Sequence, residues 1–554
     1  MAEKTVLIKT KLGDLRGNIK NSILTGNSYY AFQGIPFGKP PLGDLRFKAP
    51  QPFGGWEGVR DALADGPMAK QKIMFQTPDM NSAKFWEGDE DCLYLNIYMN
   101  ELPDNSRPKK PVMFSIHGGG FNGGTGGIKM AGPDTLLYGD VVIVTHNYRL
   151  NVFGFLSLEN EDVPGNAGLK DQTLALKWVH DNIDSFGGDP NNVTIFGISA
   201  GGASVAYHLV SPSSRGLFNK GIMQSGFAFN PWAIQENPRS NALRLAKSLG
   251  CRSEDPQEVL QTLRSASSDD IIIAATKLPT DKDFMRTFGL IFVPCVETPG
   301  PDAFLTDSPE NVMKKGDFAK VPIVLGCCVK EGALFGFVGL NEEKFAVVNE
   351  NPSLLVPSFL GLKEGSVEEK EAEKEIWDYY FKGNPISWDN LSSYLYCMGD
   401  SGFHLGMEQT RKYLLEKSSE SVYSYLFTNH SKCLCEIMKM KYDDPKEFAK
   451  IVTPSETCHA ADGAFVYTKY SDIVPAPELT PAFKEAIIKQ AKAWTSFAYK
   501  GDPNCSELQV IWKKSTKDDP CFMDIGTSWN MNQGIPLADR INFWEKLYSK
   551  YRSE

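Results

Sequence analysis

The chain has no run of about 18 consecutive apolar residues, the length a membrane-spanning helix needs, so no segment reads as a membrane span. Its first residues, Met1-Ala2-Glu3-Lys4-Thr5-Val6-Leu7-Ile8, carry no sustained apolar core of the kind a secretory leader requires. Basic runs with interleaved aromatics are missing too, and with a net charge of −10 nucleic acid is excluded as a partner. The 11 cysteines are odd in number and follow no disulfide framework. Neither Cys327-Cys328 nor Cys433-x-Cys435 reads as a metal-ligand motif, so buried free thiols are expected and a metal is not. No Ser/Pro/Gly-rich linker or internal repeat divides the 554 residues, which favours one large domain with insertions over several domains. Together these absences predict a cytoplasmic protein that uses neither membrane nor nucleic acid.

Strand-like runs recur at Leu95–Met99, Val112–His117, Val141–Asn147, Val193–Phe196, Ile222–Gln224, Ile323–Gly326 and Val422–Phe427. Several precede helical patterns such as Leu169–Ile183, an alternation that predicts an α/β fold with a large, mostly parallel central sheet flanked by helices. Helical, charged insertions at about 240–263 and 363–413 are expected to form a cap, and the Glu368–Lys374 charge run a solvated helix face. Leu537, Ile541, Trp544 and Leu547 share one face of a C-terminal helix, which could pack on the body or meet a second subunit. A monomer or a homodimer is expected.

Between a strand ending at Val193–Phe196 and a helix carrying Ala203, Val205, Ala206 and Leu209 stands Gly197-Ile198-Ser199-Ala200-Gly201. A Gly-x-Ser-x-Gly turn in that setting projects its serine from a strained bend, with glycines where a β-carbon would block the approach of strand and helix. Ser199 is thus a candidate nucleophile. A serine hydroxyl needs a base to take its proton and donors to hold the oxyanion that forms. Of the seven histidines, His117 adjoins glycines, while His146, His180 and His208 lie on a strand or helices close to the serine. His404, His430 and His459 remain downstream, and His459, in Thr457-Cys458-His459-Ala460-Ala461-Asp462-Gly463, has the late loop position that the chain order Ser, acid, His calls for.

The acid must end a strand between Ser199 and His459. Glu331-Gly332 follows the buried run Val321–Gly326, with Glu297 and Asp302 as competitors. Ile116-His117-Gly118-Gly119-Gly120-Phe121 after the strand Val112–Ser115 offers backbone N–H groups without obstructing side chains, so Gly119, Gly120 and Ala200 are the expected oxyanion donors. No Lys-Ser/Thr follows these glycines, which removes a phosphate-cradle reading.

These motifs resemble those of the type-B carboxylesterases of the α/β-hydrolase fold, a family that includes cholinesterases and insect detoxification esterases. The likeness extends through Phe32-Gln33-Gly34-Ile35-Pro36-Phe37-Gly38, Glu90-Asp91-Cys92-Leu93-Tyr94-Leu95-Asn96, Asn147-Tyr148-Arg149 and Pro164-Gly165-Asn166-Ala167-Gly168. It implies Glu331 as the acid, since Gly326-x-x-x-x-Glu331-Gly332-x-x-Phe335 looks like the family's acid motif. It further implies salt bridges Arg46–Glu90 and Arg149–Asp171, Ser225 as a support of the triad, and a substrate pocket formed by Trp232, Phe121 and Ile198.

Departures from the family pattern carry their own implications. Cys92 and Cys251 stand where secreted relatives close disulfides, but the cysteines that would pair with them are missing. Ile198 stands where the family usually carries glutamate and juvenile-hormone esterases usually glutamine, which argues against cationic esters. Gly463 replaces a more usual branched residue, and Ala461 a frequent acid. The resemblance thus implies a cofactor-free carboxylesterase similar to insect α-type esterases, acting on small, uncharged hydrophobic esters and sequestering organophosphates. A hormone or pheromone esterase and a non-catalytic cholinesterase-like binding protein are the alternatives.

Overall fold

Neighbouring residues on the central strands point into different cores: Ile195 joins one large apolar cluster, and Phe196 beside it joins the other. Met113 and Phe114 divide in the same way, as a sheet covered on both faces requires. A computed structural model describes residues 4–72, 86–338, 340–429, 457–467 and 480–552. The strands are β1 Thr5–Thr10, β2 Gly13–Asn21, β3 Ser28–Pro36, β4 Val59–Asp61, β5 Gln71–Lys72, β6 Trp86–Glu87, β7 Tyr94–Met99, β8 Lys110–Ile116, β9 Val142–His146, β10 Gly188–Ile198, β11 Lys220–Gln224, β12 Ile323–Cys328, β13 Val422–Phe427, β14 Cys521–Ile525 and β15 Trp529–Gln533.

Thirteen strands form one sheet in the order β1-β2-β3-β7-β9-β8-β10-β11-β12-β13-β14-β15, with β4 paired to β2. From β9 to β14 all neighbours are parallel. The flanks are antiparallel: β1, β2, β3 and β7 form a meander on one side, and β14–β15 a hairpin on the other. The strands read from the sequence are thus all present, inside a sheet extended by edge strands. The carboxyl ends of β8, β10, β11 and β12 converge where the order is fully parallel, and open sheets of this kind bind ligands at those ends.

Both insertion regions are helical. Leu245 of the helix Pro238–Ser248 and Val259 of the helix Pro256–Ser265 join one core cluster, whereas Ile376 of the helix Val367–Phe381 and Leu395 of the helix Leu391–Gly399 join the other. The glutamate run is not uniformly solvated: Glu369 falls on the face of Ala372 and Ile376, is buried, and meets Arg286 at 3.3 Å. On the C-terminal helix Ala538–Tyr551, Ile541, Trp544 and Leu547 are buried in this chain's own core, while Leu537 caps the helix. Among the described residues no cysteine takes part in a disulfide; Cys433 and Cys435 lie outside them.

Candidate active site

β10 ends at Ile198 and the helix Ala200–Val210 starts two residues later, leaving Ser199 between them at φ 60°, ψ −125°. That conformation is disfavoured for a residue with a β-carbon and has to be held by its surroundings. The Ser199 N–H donates to the Gln224 carbonyl at 2.7 Å, and the Ser199 carbonyl accepts from the Ala203 N–H at 2.9 Å. The motif glycines are steric necessities: a β-carbon on Gly201 would lie 2.1 Å from the Ile116 carbonyl oxygen, and one on Gly197 2.5 Å from the Gly201 carbonyl carbon.

Glu331 leaves β12 at its carboxyl end and is fully buried. Its Oε1 accepts from Ser225 Oγ and from the Cys328 N–H, both at 2.6 Å, and its Oε2 lies 2.5 Å from His459 Nδ1. The expected acid, base and supporting serine are therefore in contact. Glu297 is engaged elsewhere, with Lys170 Nζ at 2.6 Å and Asn166 at 2.8 Å, and Asp302 is exposed in a turn. His208 is fully buried between Ser214 and Gln172, and burial lowers its pKa to about 3. His404 pairs with Asp400 instead, and His430 lies outside the described residues.

The glycine turn after β8 leans on the serine. A β-carbon on Gly118 would sit 2.4 Å from the Ile198 carbonyl oxygen and 3.2 Å from Ser199 Cβ. Gly119 and Gly120 take φ of 115° and 60°, and among the described residues their N–H groups have no protein acceptor. Ala200 opens its helix, where the first N–H groups lack an intrahelical partner. His117, whose pKa burial lowers to about 4, stacks on Tyr148 at 4.3 Å beside this turn.

Trp232 donates its Nε1–H to the Gly402 carbonyl at 2.8 Å, with its ring 5.5 Å from Phe403 and 6.5 Å from Phe121. Phe403 in turn lies 4.7 Å from the His459 ring. Ile198 is buried, and like these aromatics it carries no charge. Two contributors escaped sequence reasoning. Phe403 is a lone aromatic in a helical stretch with no motif around it. Asp462, three positions after His459 and followed by Gly463-Ala464-Phe465-Val466, anchors the histidine turn: its Oδ2 accepts from Gln224 Nε2 at 2.8 Å and from the Tyr425 hydroxyl at 2.7 Å. Burial raises the Asp462 carboxyl above its usual range, and those two donors work against the rise.

Donor atoms of Cys327, Glu331 and His404 lie within 4.8 Å of one another. All are already engaged: Glu331 as above, His404 with Asp400 and the Cys328 carbonyl, and the Cys327 thiol held protonated by burial and then by the charge of Glu331. Further out, Arg46 meets Glu90 at 2.5 Å and Arg149 meets Asp171 at 2.7 Å, the pairs the family resemblance implied. Arg46 also donates to the carbonyls of Leu263, Arg264 and Ala266, tying an insertion helix to the body.

A glycine-flanked serine on a parallel strand end, in a chain that also holds a buried His–Glu pair at the same sheet, defines an α/β-hydrolase. The carboxylesterase family model matches residues 4–544, and the chain belongs to that family. It is 34% identical to a carboxylic ester hydrolase of Bombus ignitus over 98% of this chain and 94% of that one. It is 37% identical to a juvenile hormone esterase of Tribolium castaneum, over 76% of this chain and 72% of the relative. Among solved structures, the juvenile hormone esterase of Manduca sexta with OTFP covalently attached superposes with a TM-score of 0.83 at 28% identity, covering 99% of this chain and 100% of that one. The protein is a carboxylic ester hydrolase.

Proposed function

We propose that this carboxylesterase hydrolyses uncharged, hydrophobic esters through an acyl-enzyme. Ser199 Oγ attacks the ester carbonyl carbon while His459 takes the hydroxyl proton. The N–H groups of Gly119, Gly120 and Ala200 hold the oxyanion. Collapse breaks the bond to the alkoxy oxygen, which departs with the proton from His459. Water then attacks the acyl carbon by the same route and releases the acid. Glu331 fixes His459 with Nδ1 protonated and balances the imidazolium as it forms. The observation that carries this reading is the 2.5 Å His459–Glu331 contact, in a chain whose strand-end serine is held at positive φ.

Ile198, Phe121 and Trp232 favour a neutral, apolar acyl group, which fits xenobiotic esters and organophosphates handled by a cytoplasmic monomer or homodimer. A second reading, a hormone esterase, draws support from the likeness to the Manduca sexta enzyme across almost the whole chain. Release of nitrophenol from short-chain nitrophenyl esters tests the chemistry. Equal release by wild type and Ser199→Ala would overturn it and point to a binding role, and an acyl-chain-length series separates the xenobiotic from the hormone reading.

A further inference from the structure

Behind Glu331 lies a second histidine–carboxylate pair. Asp400–His404 forms a π-helical turn between the helices Leu391–Gly399 and Leu405–Lys417, and both end residues are buried. Such turns inserted in helices gather at functional sites. His404 Nδ1 lies 3.0 Å from Asp400 Oδ1, and Nε2 lies 2.8 Å from the Cys328 carbonyl oxygen. A carbonyl oxygen only accepts. Asp400 meets the ring as an acceptor too, because its Oδ2 already receives the Tyr380 hydroxyl at 2.7 Å and the Arg540 guanidinium at 3.3 Å. A neutral imidazole has one N–H, and would set its lone pair against one of these oxygens inside the protein.

We infer that His404 is a buried imidazolium that positions the acid of the triad. It grips the carbonyl of Cys328, the residue whose N–H donates to Glu331 Oε1. Its ring also places a positive charge within 4.8 Å of the Glu331 carboxylate. The charges then match: Asp400 and Glu331 face Arg540 and His404. The other titratable groups around the ring are Tyr380 of the helix Val367–Phe381, Cys397 of the helix Leu391–Gly399, and Cys327 on β12, all held protonated by burial; His459 lies beyond Glu331.

The inference rests on Glu331 and His459 being the catalytic pair, but its first test does not use activity. In protein labelled with ¹⁵N in its histidine rings, at about pH 8 where an exposed imidazole is neutral, one ring is expected to carry protons on both nitrogens, and that signal disappears in His404→Gln. Absence of any doubly protonated ring in the wild-type protein overturns the inference, whether or not the variant folds. The second test is the pH profile of kcat/KM. With the neighbouring cation removed, His459 holds its proton more firmly, so the acid limb of His404→Gln moves up by about half a pH unit. An unmoved limb in the folded variant overturns the positioning role. A doubly protonated ring in a protein without esterase activity would instead leave His404 as inferred and remove the proposed triad chemistry.

Discussion

Ile198 and Gly463 share one space: Ile198 Cδ1 lies 2.8 Å from the point a β-carbon on Gly463 would occupy. One residue precedes the nucleophile and the other follows the base, so the two departures from the family pattern are one packing arrangement. Forcing extra carbons into such a contact costs about 1–3 kcal/mol. Gly463→Val is expected to lower kcat/KM on a nitrophenyl ester about tenfold, and adding Ile198→Ala should restore most of it. Strictly additive losses in the double variant would show that the residues do not compete.

Ser225→Ala removes a buried hydrogen bond to Glu331. Bonds to a charged group contribute about 1.5–3 kcal/mol, so kcat should fall about 10- to 100-fold with KM nearly constant. A raised KM at unchanged kcat, read from steady-state kinetics, would mean that Ser225 acts on binding and not through Glu331.

An organophosphate should phosphorylate Ser199 and dephosphorylate slowly. Peptide mass analysis after incubation is expected to find the phosphoryl adduct on the peptide carrying Ser199 and none in Ser199→Ala. An adduct confined to other residues would contradict the proposed nucleophile.

His208 shapes the acid stability of the fold. Folded, it stays neutral down to about 3, while the unfolded chain takes up the proton near 6.5. Between those values the unfolded state binds the extra proton, so stability falls as the pH is lowered from about 6.5 towards 3, by up to about 1.4 kcal/mol per pH unit for this group. Denaturant unfolding across this range should show a shallower slope for His208→Gln than for wild type.

Arg149 and Asp171 are both buried. Removing only the cation strands a carboxylate whose pKa burial already raises, at a cost of about 3–5 kcal/mol. Arg149→Met should therefore lower the denaturation midpoint, and pairing it with Asp171→Asn should recover part of the loss.

The proposed nucleophile and oxyanion turn were legible because each sits in a short motif at a strand end, where local geometry dictates residue type, whereas His459 was picked by its late loop position and Glu331 was set apart from Glu297 and Asp302 only by the family resemblance. The antiparallel strands β1 to β3 were not, since β1 is half exposed and its lysine and threonines mask the alternation. Glu369 shows the same limit in a helix: composition reads its run as solvent-facing, but the helical period sets it beside Ala372 and Ile376. Phe403, Asp462 and His404 became functional candidates only through neighbours distant in sequence. No spacing rule connects the Asp400–His404 turn to Glu331; the fold does, where Gly399 lets the helix approach so closely that a β-carbon there would meet the Gly332 nitrogen at 2.7 Å.

Two consecutive residues at the end of β11 reach all three arms of the site. The Gln224 carbonyl holds the Ser199 N–H, the Gln224 amide holds Asp462 in the histidine turn, and the Ser225 hydroxyl holds Glu331. A slip of β11 by one residue would turn Gln224 and Ser225 to the wrong sides and release the proposed nucleophile, base and acid together. A partly folded form therefore has no intermediate level of activity available to it, and ester turnover serves as a direct measure of how much of a preparation has its central sheet in register.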